Sequence, residues 1–271
     1  MVMLTSDNKM LGYELMKAYS NISCFSTTRL GGCSKGLYAS LNCTHYCGDR
    51  LEDVLANREI VMNSLSQRPE KLVIPHQTHT VNVRVIDEAF LQMDDALQAQ
   101  ALEEVDALVT QEPGCCVCVS TADCVPVMLY DTEHQVVAVV HAGWRGTVGR
   151  IVEKTLTVMK ERYATQGPSV IACIGPSISQ DAFEVGDEVF RTFVEAGFDM
   201  NRIAVKKKKW HLDLWEANRL QLLACGVPSN RIEVSGVCTY KQVDWFFSAR
   251  RLGIHSGRIL SGIMLHKNKK I

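Results

Sequence analysis

Residues Thr121–Thr147 read TADCVPVMLYDTEHQVVAVVHAGWRGT, and the fold turns on how this stretch pairs with itself. Two apolar, β-branched runs, Val125–Tyr130 and Val136–Val140, flank the polar segment Asp131-Thr132-Glu133-His134. Runs of that length bounded by turn residues predict adjacent buried strands joined by a tight connection. Such a hairpin sets Cys124, at the start of the first strand, beside His141, at the end of the second. A thiol next to an imidazole is either part of a metal site or a nucleophile with its base, and the residues leave both open. Arg145, four residues past His141, offers an anion-binding group in either scheme. Trp144 is a stacking surface for a flat ligand or a core side chain.

Toward the N-terminus, Val105–Thr110 and Cys115–Ser120 predict two strands around the turn Glu112-Pro113-Gly114. Residues 87–104 are polar and acidic and read as a surface connection. Val81–Ile86 alternates like a strand, and Lys71–Ile74 is a short strand running into Pro75-His76-Gln77-Thr78-His79-Thr80. Asp49–Ser66 places Leu51, Val54, Leu55, Ile60, Val61 and Leu65 at helical spacing, with Asp49 or Asp53 as its cap. The glycines Gly31, Gly32 and Gly36 mark a loop that approaches a ligand closely, with Arg29 beside them as an anion-binding candidate. Residues 1–24 hold two short strands at most.

Toward the C-terminus, Val148–Tyr163 is a helix with Ile151, Val152, Leu156 and Met159 on one face. Val170–Ile174 is a buried strand. Phe183–Val194 and Leu214–Cys225 are helices, the second stopped by Gly226 and Pro228. Arg231–Val234, Tyr240–Phe246 and Arg258–Leu265 complete the strands, and Lys267–Ile271 is a basic tail. Strict βαβ alternation, a 20–50 residue repeat and a linker are all missing. The expectation is an α+β architecture in a single domain, residues 1–271, with sheets at the centre and helices outside.

The 271 residues carry a formal net charge of -1, which gives no electrostatic case for nucleic acid or an anionic membrane. Lys206–Lys209 reads as a solvated loop or edge strand. Eleven cysteines, an odd number, without a basic-then-apolar leader or a run near the ~18 apolar residues of a membrane helix, point to reduced thiols in the cytoplasm. Cys115-Cys116-Val117-Cys118 sits in an apolar run and reads as small core residues. Of the eight histidines, His134, His255 and His266 lie in turn or terminal contexts, and His211 precedes a helix. His45 follows the glycine loop and is a candidate to line a site. His76 and His79, at i and i+3 in an extended segment, do not both face the centre.

These motifs in their order resemble the YfiH-like, or laccase-domain, family, earlier named multicopper polyphenol oxidases. The resemblance runs from about residue 20 to residue 266. It rests on Thr28-Arg29-Leu30-Gly31-Gly32 with Ser40-Leu41-Asn42, Gln77-x-His79, Thr121–Pro126, His141–Gly146, Ile174-Gly175-Pro176, Glu184-Val185-Gly186, Leu212-Asp213-Leu214 with Asn218, and Ser256-Gly257-Arg258. It implies a layered α/β/β/α fold with central mixed sheets and outer helices, akin to the catalytic domain of cytotoxic necrotizing factor toxins. It also implies a zinc held by His79, Cys124 and His141, which selects His79 over His76, with copper as the lesser alternative.

The activity the resemblance implies is phosphorolysis of adenosine, inosine, guanosine and methylthioadenosine, with deamination of adenosine. Purine nucleoside and phosphate are then the partners, and the oligomeric state stays open. In that scheme Cys124, His141 and Arg145 are the catalytic group, Arg29 and Arg145 hold phosphate, and Asn42 and Gln77 bond ribose or base. Asp123 is structural, because alternation turns it to the face opposite Cys124. The rival readings are a Cys-His amide hydrolase acting on a cell-wall precursor, a copper-dependent polyphenol oxidase and a non-enzymatic binding protein. Ser177, Ser179, Thr78 and Thr80 depart from the family pattern without touching the three ligands, which leaves substrate preference open.

Overall fold

The computed structural model describes residues 3–268, so residues 269–271 of the expected basic tail lie outside it. One sheet runs in the order β1 (Met3–Leu4), β2 (Met10–Gly12), β3 (Ile22–Thr27), β15 (Ile259–Leu265), β7 (Cys115–Thr121) and β4 (Lys71–Val73). A second runs β14 (Ile232–Val234), β10 (Val170–Ile174), β8 (Val125–Asp131), β9 (Val136–Ala142), β6 (Ala107–Thr110) and β5 (Val83–Ile86). A three-stranded sheet, β11 (Glu184–Val185), β13 (Trp210–Leu212) and β12 (Ala204–Lys206), lies apart from them.

The hairpin expected from residues 121–147 forms as β8 and β9, with Pro126 opposite His141 and Asp131 opposite Val136. Its strands show no polar face because both faces are covered. Val127, Leu129, Ala138 and Val140 pack toward the helices Ile151–Tyr163 and Leu214–Ala224. Met128, Tyr130, Val137 and Val139 alternate to the other side and meet Val117, Val119 and Ile263 of the facing sheet. The outer face of that sheet packs Phe25, Cys116, Cys118, Leu260 and Met264 against Val61 of the helix Leu51–Ser64. Each such valine or leucine contributes about 1.5–3 kcal/mol through burial. The layers are therefore helix, sheet, sheet, helix, the α/β/β/α order expected.

Several local expectations change. The strands expected at Val105–Thr110 and Cys115–Ser120 both form, but in different sheets: β6 joins β9 in one, and β7 joins β15 and β4 in the other. The turn carries the chain between layers. Residues 87–104 are not plain connection but hold the helices Glu88–Leu91 and Asp95–Ala101, capped by the carboxylates of Asp87 and Asp94. The expected helix Phe183–Val194 begins only at Asp187, after β11. Tyr240–Phe246 is not a strand. Its amides turn back, Gln242 N–H to Cys238 O and Phe246 N–H to Gln242 O, so its apolar pattern reflects one-sided burial of turns. Arg150, at φ +61°, divides the helix expected at Val148–Tyr163 into Trp144–Val148 and Ile151–Tyr163. The lysines 206–209 sit on an exposed edge, where Lys206, Lys207 and Lys209 pair with Asp187, Asp181 and Glu184.

The helix Leu51–Ser64 also departs from its simple amphipathic reading. Leu51 and Leu55 are exposed, and the buried stripe is Val54, Asn57 and Val61. Asp49 does not cap it; its Oδ2 accepts from Ser34 and Asn42 instead. Asn57 is fully buried and ties down the glycine loop. Its amide donates to Ser40 O, Asn42 O and Ser34 Oγ, and its Oδ1 accepts from Cys33 N–H. Gly32 has to be glycine here, since a Cβ would lie 2.3 Å from Ser40 O. Replacing Asn57 by Leu takes this partner from Asn42 O and Cys33 N–H, while Ser40 O keeps Ser34 N–H, so Asn57→Leu is expected to cost about 2–4 kcal/mol. Urea unfolding checks this, and a loss under ~0.5 kcal/mol would show that water replaces the amide.

Candidate metal centre

Asp106 directly precedes β6 as the one charged residue of the run Val105–Thr110, and it is fully buried. Its Oδ1 accepts from Nδ1–H of His141 at 2.6 Å and from the backbone N–H of His79 at 3.1 Å. Its Oδ2 accepts from the N–H and the hydroxyl of Thr80, both at 2.8 Å. The antiparallel register adds a bond from His141 N–H to the Asp106 carbonyl oxygen at 2.7 Å. One carboxylate thus fixes both a strand-end ring and the loop that carries the second histidine.

That loop is strained where it matters. His79 sits at φ +65°, and Asp123, directly before Cys124, at φ +86°. Left-handed backbone at non-glycine residues costs on the order of 1–3 kcal/mol and persists only when its surroundings over-determine it. Asp106 supplies the constraint for His79. The Asp123 carboxylate, bonded to the Thr239 hydroxyl and the Arg250 N–H at 2.7 Å each, supplies it for Cys124. Asp123 therefore acts on the backbone, as its expected outward orientation implies.

His79, Cys124 and His141 converge, their ligand atoms all within 4.8 Å of one another. Cys124 Sγ lies 3.6 Å from His79 Nε2. Metal–sulfur and metal–nitrogen bonds of about 2.3 and 2.0 Å in a tetrahedral centre separate the two donors by about 3.5 Å, so the donor set fits a metal ion. Asp106 leaves only Nε2 of His141 free, the usual outer arrangement of a ligand histidine. Gly143 completes the cradle: a Cβ there would meet His79 Cδ2 at 2.8 Å and Cys124 Sγ at 3.0 Å. Burial pushes the Cys124 thiol up, but His141 and His79 more than reverse this and lower it to about 6. Burial likewise opposes charge on His141, yet the Cys124 thiolate and Asp106 raise it to about 9. Burial works against the Asp106 carboxylate, which the His141 and Thr80 bonds nevertheless hold below its usual range.

The three side chains open into a cavity of about 380 Å³, which Tyr46, His76, Gln77 and Arg258 also line. Tyr46 stacks on His76 with centroids 4.1 Å apart, and Glu103 holds His76 Nδ1 at 2.6 Å. His45 packs on Tyr46 and is itself exposed rather than part of the wall. Gln77 lines the cavity, with its amide already exchanging bonds with Ser120. Three expected substrate residues stand elsewhere. Arg29 donates to Ala39 O and Val243 O and lies over Phe247. Asn42 is buried between Thr44 O, Asp49 and the Arg258 N–H. Arg145 is exposed and lies over Trp144. Sequence reasoning missed Asp106, whose signal was a lone carboxylate directly before an apolar strand, and Tyr46, which carried no signal beyond its place after the glycine loop.

The family described as multi-copper polyphenol oxidoreductase laccase matches residues 23–266. This chain belongs to that family. A relative from Bacteroides thetaiotaomicron named purine nucleoside phosphorylase is 56% identical over 270 residues, 98% of this chain and 100% of that protein. A protein named adenosine deaminase RL5, from an unknown prokaryotic organism, is 45% identical over 253 residues, 92% of this chain and 96% of the other. The crystal structure of YfiH from Bacillus licheniformis superposes with a TM-score of 0.89 at 29% identity, over 97% of this chain and 98% of that one. The family and the layered fold expected from the motifs are both borne out.

Two outcomes follow for this laccase-family chain. In chelator-treated protein the Cys124 thiolate forms above about pH 6 and the His141 imidazolium is lost above about pH 9. Their pair therefore stabilises the fold only between those values, fading as pH falls through the first or rises through the second. Iodoacetamide should label one thiol that C124A lacks, with a midpoint near pH 6; a midpoint near the ordinary ~8.5 would dissolve the pair. Gly143→Ala, at an ordinary φ of -64°, should keep the thermal midpoint while lowering affinity for added zinc at least tenfold. Unchanged affinity in a zinc titration would show that the cradle yields.

Proposed function

We propose that the chain is a zinc-dependent purine nucleoside phosphorylase that also deaminates adenosine. The observation that carries this is the convergence of His79, Cys124 and His141 in the lining of an open cavity. Support comes from the 56% identity to a protein named purine nucleoside phosphorylase. A cavity of about 380 Å³ lies within the ~300–1,000 Å³ range of small-molecule sites. A thiolate with two neutral imidazoles suits zinc, which would supply Lewis acidity toward an oxygen of the attacking group.

The chain's own residues do the positioning. Asp106 fixes the His141 tautomer by accepting from Nδ1–H. The Tyr46–His76 stack presents a flat, partly exposed face on which a purine packs, and Glu103 holds its inner ring in place. Gln77 keeps one amide N–H uncommitted, since only the other reaches Ser120 O. Phosphorolysis forms a bond from a phosphate oxygen to ribose C1′ and breaks C1′–N9, with a proton going to the departing base. Deamination adds water at purine C6 and releases ammonia.

A second reading has its own observation. Cys124, His141 and Asp106 form a thiol–imidazole–carboxylate series, the arrangement of a cysteine amide hydrolase. A multicopper oxidase needs several ligand clusters, and among the described residues one such group is found. The discriminating assay is phosphate-dependent release of hypoxanthine from inosine. Chelation should abolish it and zinc restore it; C124A should lose both inosine and adenosine turnover; D106N should need about 10–100-fold more zinc. Chelator-resistant amide hydrolysis that C124A loses would replace this reading with the hydrolase, and full inosine turnover by C124A would overturn both.

A further inference from the structure

Phosphorolysis needs a cation in the cavity wall, and neither Arg29 nor Arg145 is there. Among the described residues that line the cavity, Arg258 is the one lysine or arginine. It arrives by sheet register: β15 pairs with β7 so that Ile259 faces Thr121, three residues before Cys124. Its backbone N–H donates to Asn42 Oδ1 at 3.0 Å, which ties it to the glycine-loop segment.

The guanidinium is held without being neutralised. Nη1 donates to Ser256 O and Gly257 O, and Nη2 to Ile254 O at 2.7 Å. Every one of these acceptors is an uncharged carbonyl on its own loop, and among the described residues no carboxylate pairs with Arg258. Nε and one Nη2–H, two of its five donors, have no protein acceptor among these bonds. A fixed guanidinium fork with free donors is the chemistry that recognises a tetrahedral oxyanion, and holding it in advance lowers the ordering cost of binding. By contrast Nε and Nη1 of Arg29 serve Ala39 and Val243, and Arg145 points to solvent over Trp144.

We infer that Arg258 is the residue that binds inorganic phosphate, an inference that rests on the phosphorylase reading above. It gives the cavity a platform for the base, the Tyr46–His76 stack, and a group for the anion, Arg258, with the three metal-ligand candidates in the same lining.

The test is the steady-state kinetics of inosine phosphorolysis by Arg258→Gln and Arg258→Lys, with ³¹P line broadening of inorganic phosphate at matched ionic strength as an activity-independent readout. Arg258→Gln should raise the phosphate KM at least tenfold while the inosine KM moves less than twofold, and should lose the broadening seen with the unsubstituted protein. Arg258→Lys, which keeps the charge and serves if the Gln variant does not fold, should fall between. A phosphate KM within twofold of the unsubstituted enzyme, or inosine and phosphate KM rising together, would overturn the role of Arg258 and leave phosphorolysis standing. Unsubstituted protein that neither releases base nor broadens phosphate would overturn both.

Discussion

The buried carboxylate of Asp106 is the interaction on which the site depends. A carboxylate taken out of water is destabilising unless its lone pairs are satisfied, and here four close donors, with Thr78 N–H at 3.4 Å as a fifth, satisfy them. The close donors belong to the His141 ring, the His79 backbone and Thr80, so the same bonds that make the buried charge tolerable also set both histidines. Stability and site geometry are not separable at this residue. Loss of Asp106 would free a left-handed loop and a strand-end imidazole together.

The sheets explain why this arrangement is rigid. β8, β9 and β6 are neighbours in one sheet, covered by helices on one face and by the sheet of β15 and β7 on the other. Their centres are apolar, and the site gathers at one end of the strands: Asp106 directly before β6, Cys124 before β8, His141 near the end of β9. The facing sheet delivers Arg258 to the same rim through the pairing of β15 with β7. A close-packed body thus fixes the position of groups that themselves stay open to solvent on one side.

The glycine loop, conspicuous in sequence, turns out to be a supporting element. Asn57 and Asp49 hold it against the helix Leu51–Ser64, and Arg29 anchors its base through carbonyls rather than facing the cavity. Its contribution to the wall comes from the residues after it, Thr44, Tyr46 and Cys47. The cysteines divide in a similar way. Burial raises the thiols of Cys43 and Cys115 to about 12, whereas Cys124, between two histidines, is lowered to about 6. Position beside imidazoles, not cysteine content, separates the chemically competent thiol from the packing ones.

What the sequence determined by itself was local. The β8–β9 hairpin, and with it the approach of Cys124 to His141, follows from two apolar runs and a four-residue polar interruption, because strands so close in sequence have little loop entropy to overcome. The helical face Ile151, Val152, Leu156 and Met159 and the strand Val170–Ile174 were legible for the same reason. The ordered motifs pointed to the family, and through it to His79. What only the tertiary structure decided was convergence between distant segments: that β6 and β7 part into different layers, that Asp106 serves both histidines, and that Arg258 rather than Arg29 or Arg145 faces the cavity. Arginines are alike in sequence, and each acts according to which carbonyls, rings or open space the register of remote strands sets around it.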